Sequence, residues 1–142
     1  MKYPAIITKE GKYTLAEFPD LPGCQTFVGP GEDLRAKASD ALEGWLAVGL
    51  QDGEAPPRPS LAQSRRGIEL IPVPPQVAVA LAIRWVRQDQ KLTQHELAAL
   101  VGVSQQRIAK LERVQSNLTL RTLDTVAKAL RHELHIELTP VT

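Results

Sequence analysis

Cysteine is nearly absent from this chain. Cys24 stands alone, so no internal disulfide can form, and a reducing cytoplasm is the expected compartment. Aromatic residues are scarce as well, with two Phe, two Trp and two Tyr among 142 residues. Any core must therefore be built from Leu, Val, Ile and Ala. No apolar run approaches the roughly 18 residues that a membrane span needs. The start, Met1-Lys2-Tyr3-Pro4, leads into no secretory-type apolar segment, so no membrane association is expected. Histidine is missing from the first half, since His95, His132 and His135 all lie in the second. That leaves Cys24 without a nearby base in sequence, and it reads as a small strand residue rather than a nucleophile.

What is present suffices for two small domains. Apolar residues make up 43% and charged residues 23%, ordinary values for a soluble globular chain. The net charge of +1 hides an asymmetry. Residues 1–75 carry eight Lys and Arg against ten Asp and Glu, whereas residues 76–142 carry nine against six. A basic second half beside an acidic first half points to nucleic acid at one end.

The first half reads as strands and one helix. Tyr3–Thr8 and Tyr13–Phe18 are rich in aromatic and β-branched residues and are separated by Lys9-Glu10-Gly11-Lys12, a hairpin pattern. Pro19-Asp20-Leu21-Pro22-Gly23 is a turn, and Cys24–Val28 resumes extended character. From Asp33 to Leu50 the period lengthens. Leu34, Ala38, Ala41, Leu42, Trp45, Val48 and Gly49 recur at helical spacing and form one apolar face. Gln51–Ser64, with three prolines, is loop, and Gly67–Val73 is a fourth strand. The cluster Pro72-Val73-Pro74-Pro75 marks the domain boundary. The predicted class is an α+β domain of order β-β-β-α-β over residues 1–75. An all-α domain over residues 76–142 follows it, closed by a short strand.

The second half is punctuated by helix starts. After a helix over Gln76–Gln88, Thr93 and Glu96 have the spacing of a capping box, and Leu92 with Leu97 that of a hydrophobic staple. The arrangement recurs with Val103, Ser104 and Ile108, and again with Leu118, Thr119 and Leu123. Val101-Gly102-Val103 separates the first two short helices, and a short Gly-containing turn between such helices is the helix-turn-helix pattern. Gly102 supplies the positive φ of a sharp helix stop. The tail Glu133–Leu138 alternates Leu134, Ile136 and Leu138 with His135 and Glu137, which predicts a strand.

The stretch Thr93–Ala98, Val101–Val103 and Ser104–Glu112 resembles the Cro and phage-repressor family. That resemblance implies that Ser104–Arg113 is the recognition helix, with its first residues aimed into the major groove. Gln105 and Gln106 carry amides that donate and accept at once, suited to the N6/N7 edge of adenine, while Arg107 and Lys110 suit guanine acceptors or phosphates. Gln94 is similar to the family residue that holds a phosphate at a helix N-terminus. Arg113, Asn117, Thr119 and Arg121 lie in and after the next loop as phosphate contacts. Related domains carry Gly where the last helix ends, and this chain has Arg131-His132 there instead.

Residues 1–75 resemble the HicB antitoxin family. The resemblance rests on Tyr3-Pro4-Ala5, Tyr13 to Phe18, Phe18-Pro19-Asp20-Leu21-Pro22-Gly23-Cys24, the amphipathic helix and Pro56–Ser60. It implies a partial RNase H-like fold that binds and inhibits a HicA-like toxin, a small mRNA interferase. Joined to a helix-turn-helix, it implies an antitoxin that also represses its own operon by binding operator double-stranded DNA. A single helix-turn-helix reads few base pairs, so a homo-oligomer, at least a dimer, is expected, with half-sites about 34 Å apart or a multiple of that. The alternative is a stand-alone phage-type repressor whose first domain oligomerises or senses a ligand. A third possibility is an interaction module with no role at DNA.

An RNase H-like fold raises the question of catalysis. Two-metal hydrolysis needs carboxylates converging on ions about 4 Å apart. The candidates Glu10, Glu17, Asp20, Glu32 and Asp33 fall mostly in turns and form no set on neighbouring strands. His132 and His135 lack thiol partners for a metal. No catalytic residue, metal or cofactor is assigned.

Overall fold

The computed structural model of the chain describes residues 1–60, 63, 65–114 and 117–141. Four strands come first or are interleaved with one helix: β1 (Lys2–Glu10), β2 (Tyr13–Glu17), β3 (Gln25–Val28), α1 (Leu34–Gln51) and β4 (Ile68–Pro72). Four further helices follow, α2 (Pro75–Asp89), α3 (Gln94–Val101), α4 (Gln105–Leu111) and α5 (Leu120–Ala129). This is the α+β sheet domain and the helical domain expected from the sequence. Leu61, Ala62 and Ser64 of the expected 51–64 loop lie outside the described residues.

The sheet runs β3-β2-β1-β4 with every pairing antiparallel. β1 is longer than its apolar pattern predicts. Its pairing with β2 continues to Glu10↔Tyr13, so Lys9 and Glu10 are strand residues and only Gly11 and Lys12 turn the hairpin. Both residues are exposed, so no apolar alternation marks them. Gly11 supplies the positive φ of +64° that a two-residue hairpin connection favours.

Helix α1 covers one face of the sheet. Asp33 caps it by accepting from the Ala36 N–H (3.2 Å) rather than joining the helix. Ala38, Leu42, Leu46 and Leu50 are buried against Tyr3, Ala5, Ala16 and Ile71. The Phe18–Cys24 turn closes on itself, with the Phe18 N–H donating to the Cys24 carbonyl (3.0 Å) and the Cys24 N–H to the Leu21 carbonyl (2.9 Å). Asp20 in that turn accepts from the Ser60 backbone (2.8 Å) and hydroxyl (2.9 Å), pinning the proline-rich segment.

Helix α2 contributes to two cores. Val77, Ala80, Leu81 and Trp85 complete the core between α1 and the sheet. Ile83, with Val79 and Val86 at its edge, packs instead with Leu97, Ala98, Ile108, Leu111, Val126 and Leu130 of the helical half.

The predicted strand at Glu133–Leu138 is not formed. The described tail after Arg131 has no regular structure, and Leu138 is 94% exposed. Alternation makes one side of a strand apolar, but a strand also needs an edge to bond to, and the tail pairs with none of the four. The turn before it forms without glycine. Arg131 adopts a left-handed φ of +59°, and the His132 N–H donates to the Ala127 carbonyl (2.8 Å). A side chain at such a position costs about 1 kcal/mol relative to glycine. Arg131→Gly is therefore expected to stabilise the fold by about 1 kcal/mol, raising Tm by roughly 3 °C in a thermal melt.

Candidate nucleic-acid interface

The helix-turn-helix is built from local bonds. Thr93 Oγ1 accepts from the Glu96 N–H (3.0 Å), and Glu96 Oε1 accepts from the Thr93 N–H (3.0 Å), which completes the capping box. Gly102 ends α3 with φ +84°, and its N–H donates to the Ala98 carbonyl (2.8 Å). Ser104 caps α4 by accepting from the Arg107 N–H (3.2 Å), and Thr119 caps α5 by accepting from the Thr122 N–H (3.2 Å). Ile108 and Leu111 face inward, so Gln105, Gln106, Arg107 and Lys110 are left on the exposed side.

The structure gathers several of the predicted contacts. Arg107 and Lys110 from α4 line a small cleft of about 50 Å³ with Asn117 and Thr119. Thr122, which the sequence did not single out, stands in the same cleft; its hydroxyl is 3.4 Å from Arg107 Nη2 and 2.9 Å from Thr119 Oγ1. Gln105 and Gln106 occupy the first turn of α4, next to the Ser104 cap. Arg113 is exposed just beyond α4, and Arg121 is exposed in the first turn of α5. Gln94 differs from the rest. It is half-buried at the start of α3, and its Nε2 donates to Glu112 Oε1 (3.3 Å).

That carboxylate belongs to an inner cluster absent from the predicted set. Glu112, the residue that ends α4, is completely buried. Arg84 Nε donates to Glu112 Oε1 (3.0 Å), and Arg84 Nη2 to the Glu112 carbonyl (3.1 Å). Arg87 donates from Nε to Oε2 (2.6 Å), from Nη2 to Oε1 (2.9 Å), and from Nη1 to the Leu92 carbonyl (2.7 Å). Among the described residues, no buried side-chain polar atom lacks a hydrogen-bond partner. The sequence does hold a signal for the cluster: Arg84 and Arg87 are charged residues one turn apart, set among the apolar positions of α2. Removing one partner of such a buried pair strands the other and typically costs about 3–5 kcal/mol. Glu112→Gln is expected to cost roughly 3 kcal/mol in denaturant unfolding, far more than neutralising an exposed pair such as Lys128–Asp124.

Three of the acidic residues weighed for catalysis, Asp20, Glu32 and Asp33, bond to nearby groups. Asp20 and Asp33 hold backbone groups as described, and Glu32 accepts from the Gly29 N–H (2.7 Å) and pairs with Lys37 (3.2 Å). The Gly29 hydrogen bond and then Lys37 hold the Glu32 carboxyl below its usual range. Glu10 and Glu17 end their strands opposite Tyr13 and Ile6. Among the described residues, no three His, Cys, Asp or Glu side chains come together as a metal site. Burial pushes the Cys24 thiol up to about 11, so little thiolate exists near neutral pH. No helix among the described residues is long and apolar enough to cross a membrane.

Comparison with known proteins covers both halves. A family model described as helix-turn-helix matches residues 83–134, spanning the end of α2 through α5. Antitoxin HicB 1 of Photorhabdus laumondii is 30% identical over 140 residues, covering 97% of this chain and 87% of that protein. Antitoxin HicB of Escherichia coli K12 is 30% identical over 138 residues, 96% of this chain and 98% of the relative. A chain from the solved HicA3 and HicB3 toxin-antitoxin complex aligns with 53% of this chain over its whole length, at 21% identity and a TM-score of 0.46. Identity that runs through sheet domain and helical domain alike, over nearly the full length of the relatives, places this chain in the HicB antitoxin family, as a member with a helix-turn-helix.

Proposed function

We propose that this chain is the antitoxin of a HicA/HicB-type pair. Residues 1–75 neutralise a HicA-like toxin, and residues 76–142 repress the chain's own operon. The observation that carries the DNA-binding half is the exposed row Gln105, Gln106, Arg107 and Lys110, on a helix whose far end is anchored inside the protein by Glu112. Gln105 and Gln106 read base edges. Arg107 and Lys110 take guanine or phosphate, and Ser104 sits at the groove entrance. Gln94, Arg113, Asn117, Thr119 and Arg121 fix the register on the phosphates. Gln94 reaches a phosphate with the amide hydrogen that Glu112 leaves available.

The chain acts by binding rather than catalysis, and the local bonds of Asp20, Glu32 and Asp33 support this. It works in the cytoplasm, where its operator is. It binds DNA as a homodimer, because a seven-residue recognition helix spans only one half-site. The exposed apolar tail residues Ile136, Leu138 and Val141 support pairing of two tails. They lie just beyond Leu134, which joins α2 and α5 in lining an apolar cleft of about 180 Å³.

Two experiments test this reading. Co-expression with the product of the adjacent small gene should rescue growth and yield a copurifying complex. A neighbour that is harmless or unbound leaves a stand-alone repressor. Fluorescence anisotropy with a duplex from upstream of the chain's own gene tests the other half. Gln105→Ala and Gln106→Ala should each cost about 1–3 kcal/mol and relax base preference. Arg113→Gln should weaken all sequences alike and reduce the salt slope by about 1. Unchanged affinity in the glutamine variants would remove α4 as the reading helix.

A further inference from the structure

Between α1 and the Gly23–Gln25 turn lies an open groove of about 520 Å³. Trp45 and Val48 form its apolar floor, and Val48 is 59% exposed. Its charged lining residues, Asp52 and Glu54, are both acidic. An apolar floor with a rim of one charge sign suits a protein segment that brings an apolar side chain flanked by Lys or Arg.

The segment leaving this groove is fastened to α2. The Glu54 N–H donates to the Gly49 carbonyl (2.9 Å), folding the chain back over the end of α1. The Trp85 indole N–H then donates to the Pro56 carbonyl (2.7 Å), and the Tyr3 hydroxyl to the Pro57 carbonyl (2.6 Å). Arg58 grips Asp89 through both terminal guanidinium nitrogens (3.2 and 2.5 Å) and lies over the Trp85 ring. The carbonyl of Glu54 itself accepts from Arg84 Nη1. The same guanidinium holds both the side chain and the carbonyl of Glu112, where the recognition helix ends. One buried side chain thus touches a residue that lines the groove and the residue that terminates α4.

We propose that this groove seats a basic, apolar-tipped segment of the partner protein, and that Arg84 passes its occupancy to the recognition helix. The inference rests on the antitoxin reading above and adds where the partner sits and how DNA binding responds. Linkage requires reciprocity: whatever factor the partner imposes on operator affinity, the operator imposes on partner affinity.

The test uses the full-length chain, the adjacent-gene product and the upstream duplex. Val48→Asp should weaken partner binding by about tenfold or more, as loss of a central contact does, with operator binding alone unchanged. In the wild type, saturating partner should shift operator affinity by about fivefold or more. Arg84→Lys should shrink that shift. Arg58→Ala loosens the same segment from an exposed position without disturbing the buried cluster, and should shrink it too. Wild-type partner affinity in Val48→Asp would overturn the seat. An absent shift in the wild type, or an undiminished one in both arginine variants, would overturn the link. If the wild type binds no partner at all, the antitoxin reading falls and this inference falls with it.

Discussion

The buried carboxylate of Glu112 is the constraint around which the DNA-reading half is arranged. A charge taken out of water is tolerated only with close partners of opposite sign and a full set of hydrogen bonds. Arg84 and Arg87 meet that demand from one side of α2, and Gln94 adds a third donor from α3. Because a guanidinium bonds in a fixed plane, the contacts specify angle as well as distance. The surrounding apolar core is small: among the described residues it has seven buried side chains, from α2 to the end of α5. Packing of that kind tolerates sliding more readily than a forked ion pair does. The ends of α3 and α4 are therefore set against α2 by directional bonds, and the exposed side of α4 inherits its orientation from them.

The sheet half solves a different problem with few aromatic residues. Among its described residues the proline-rich connector has almost no backbone pairing of its own, so it is held by side chains. Asp20, Tyr3, Trp85 and Arg58 each fix one point between Pro56 and Ser60. Burial, and then the nearby charge of Asp20, push the Tyr3 phenol up, so it remains a donor to the connector. The segment Phe18–Cys24 is distinctive in sequence for a related reason. Its prolines and glycine shape a turn whose aspartate must face Ser60.

Features held by neighbours in sequence were legible in advance. The three helix caps depend on residues three apart, and Thr93, Ser104 and Thr119 all accept as their spacing suggested. The four strands and α1, as segments along the chain, followed from period and turn chemistry. The Glu112 cluster was only half legible: Arg84 and Arg87 stand out among the apolar positions of α2, but their partner lies 28 and 25 positions away, and nothing local marks a glutamate as buried. The strand ending of β1 was hidden because exposed Lys9 and Glu10 look like turn residues. The tail misled in the opposite sense: Leu134, Ile136 and Leu138 have the alternation of a strand, but alternation says nothing about whether an edge is there to receive it. The turn at Arg131 shows that hydrogen bonds can hold a left-handed residue where sequence alone would ask for glycine.

Helix α2 begins three residues after the end of the proline-bounded strand β4 and serves as a common wall for both cores. The joint between the two halves therefore runs lengthwise through a helix, not across a linker. A lineage that exchanged its DNA-reading head for another could not simply splice at the prolines. The incoming head would need a first helix whose reverse side still fitted Leu42, Leu46 and Tyr3, and whose Trp85 equivalent still met the proline segment. Inheritance of the two halves is in this sense tied through a single helix with two sets of neighbours.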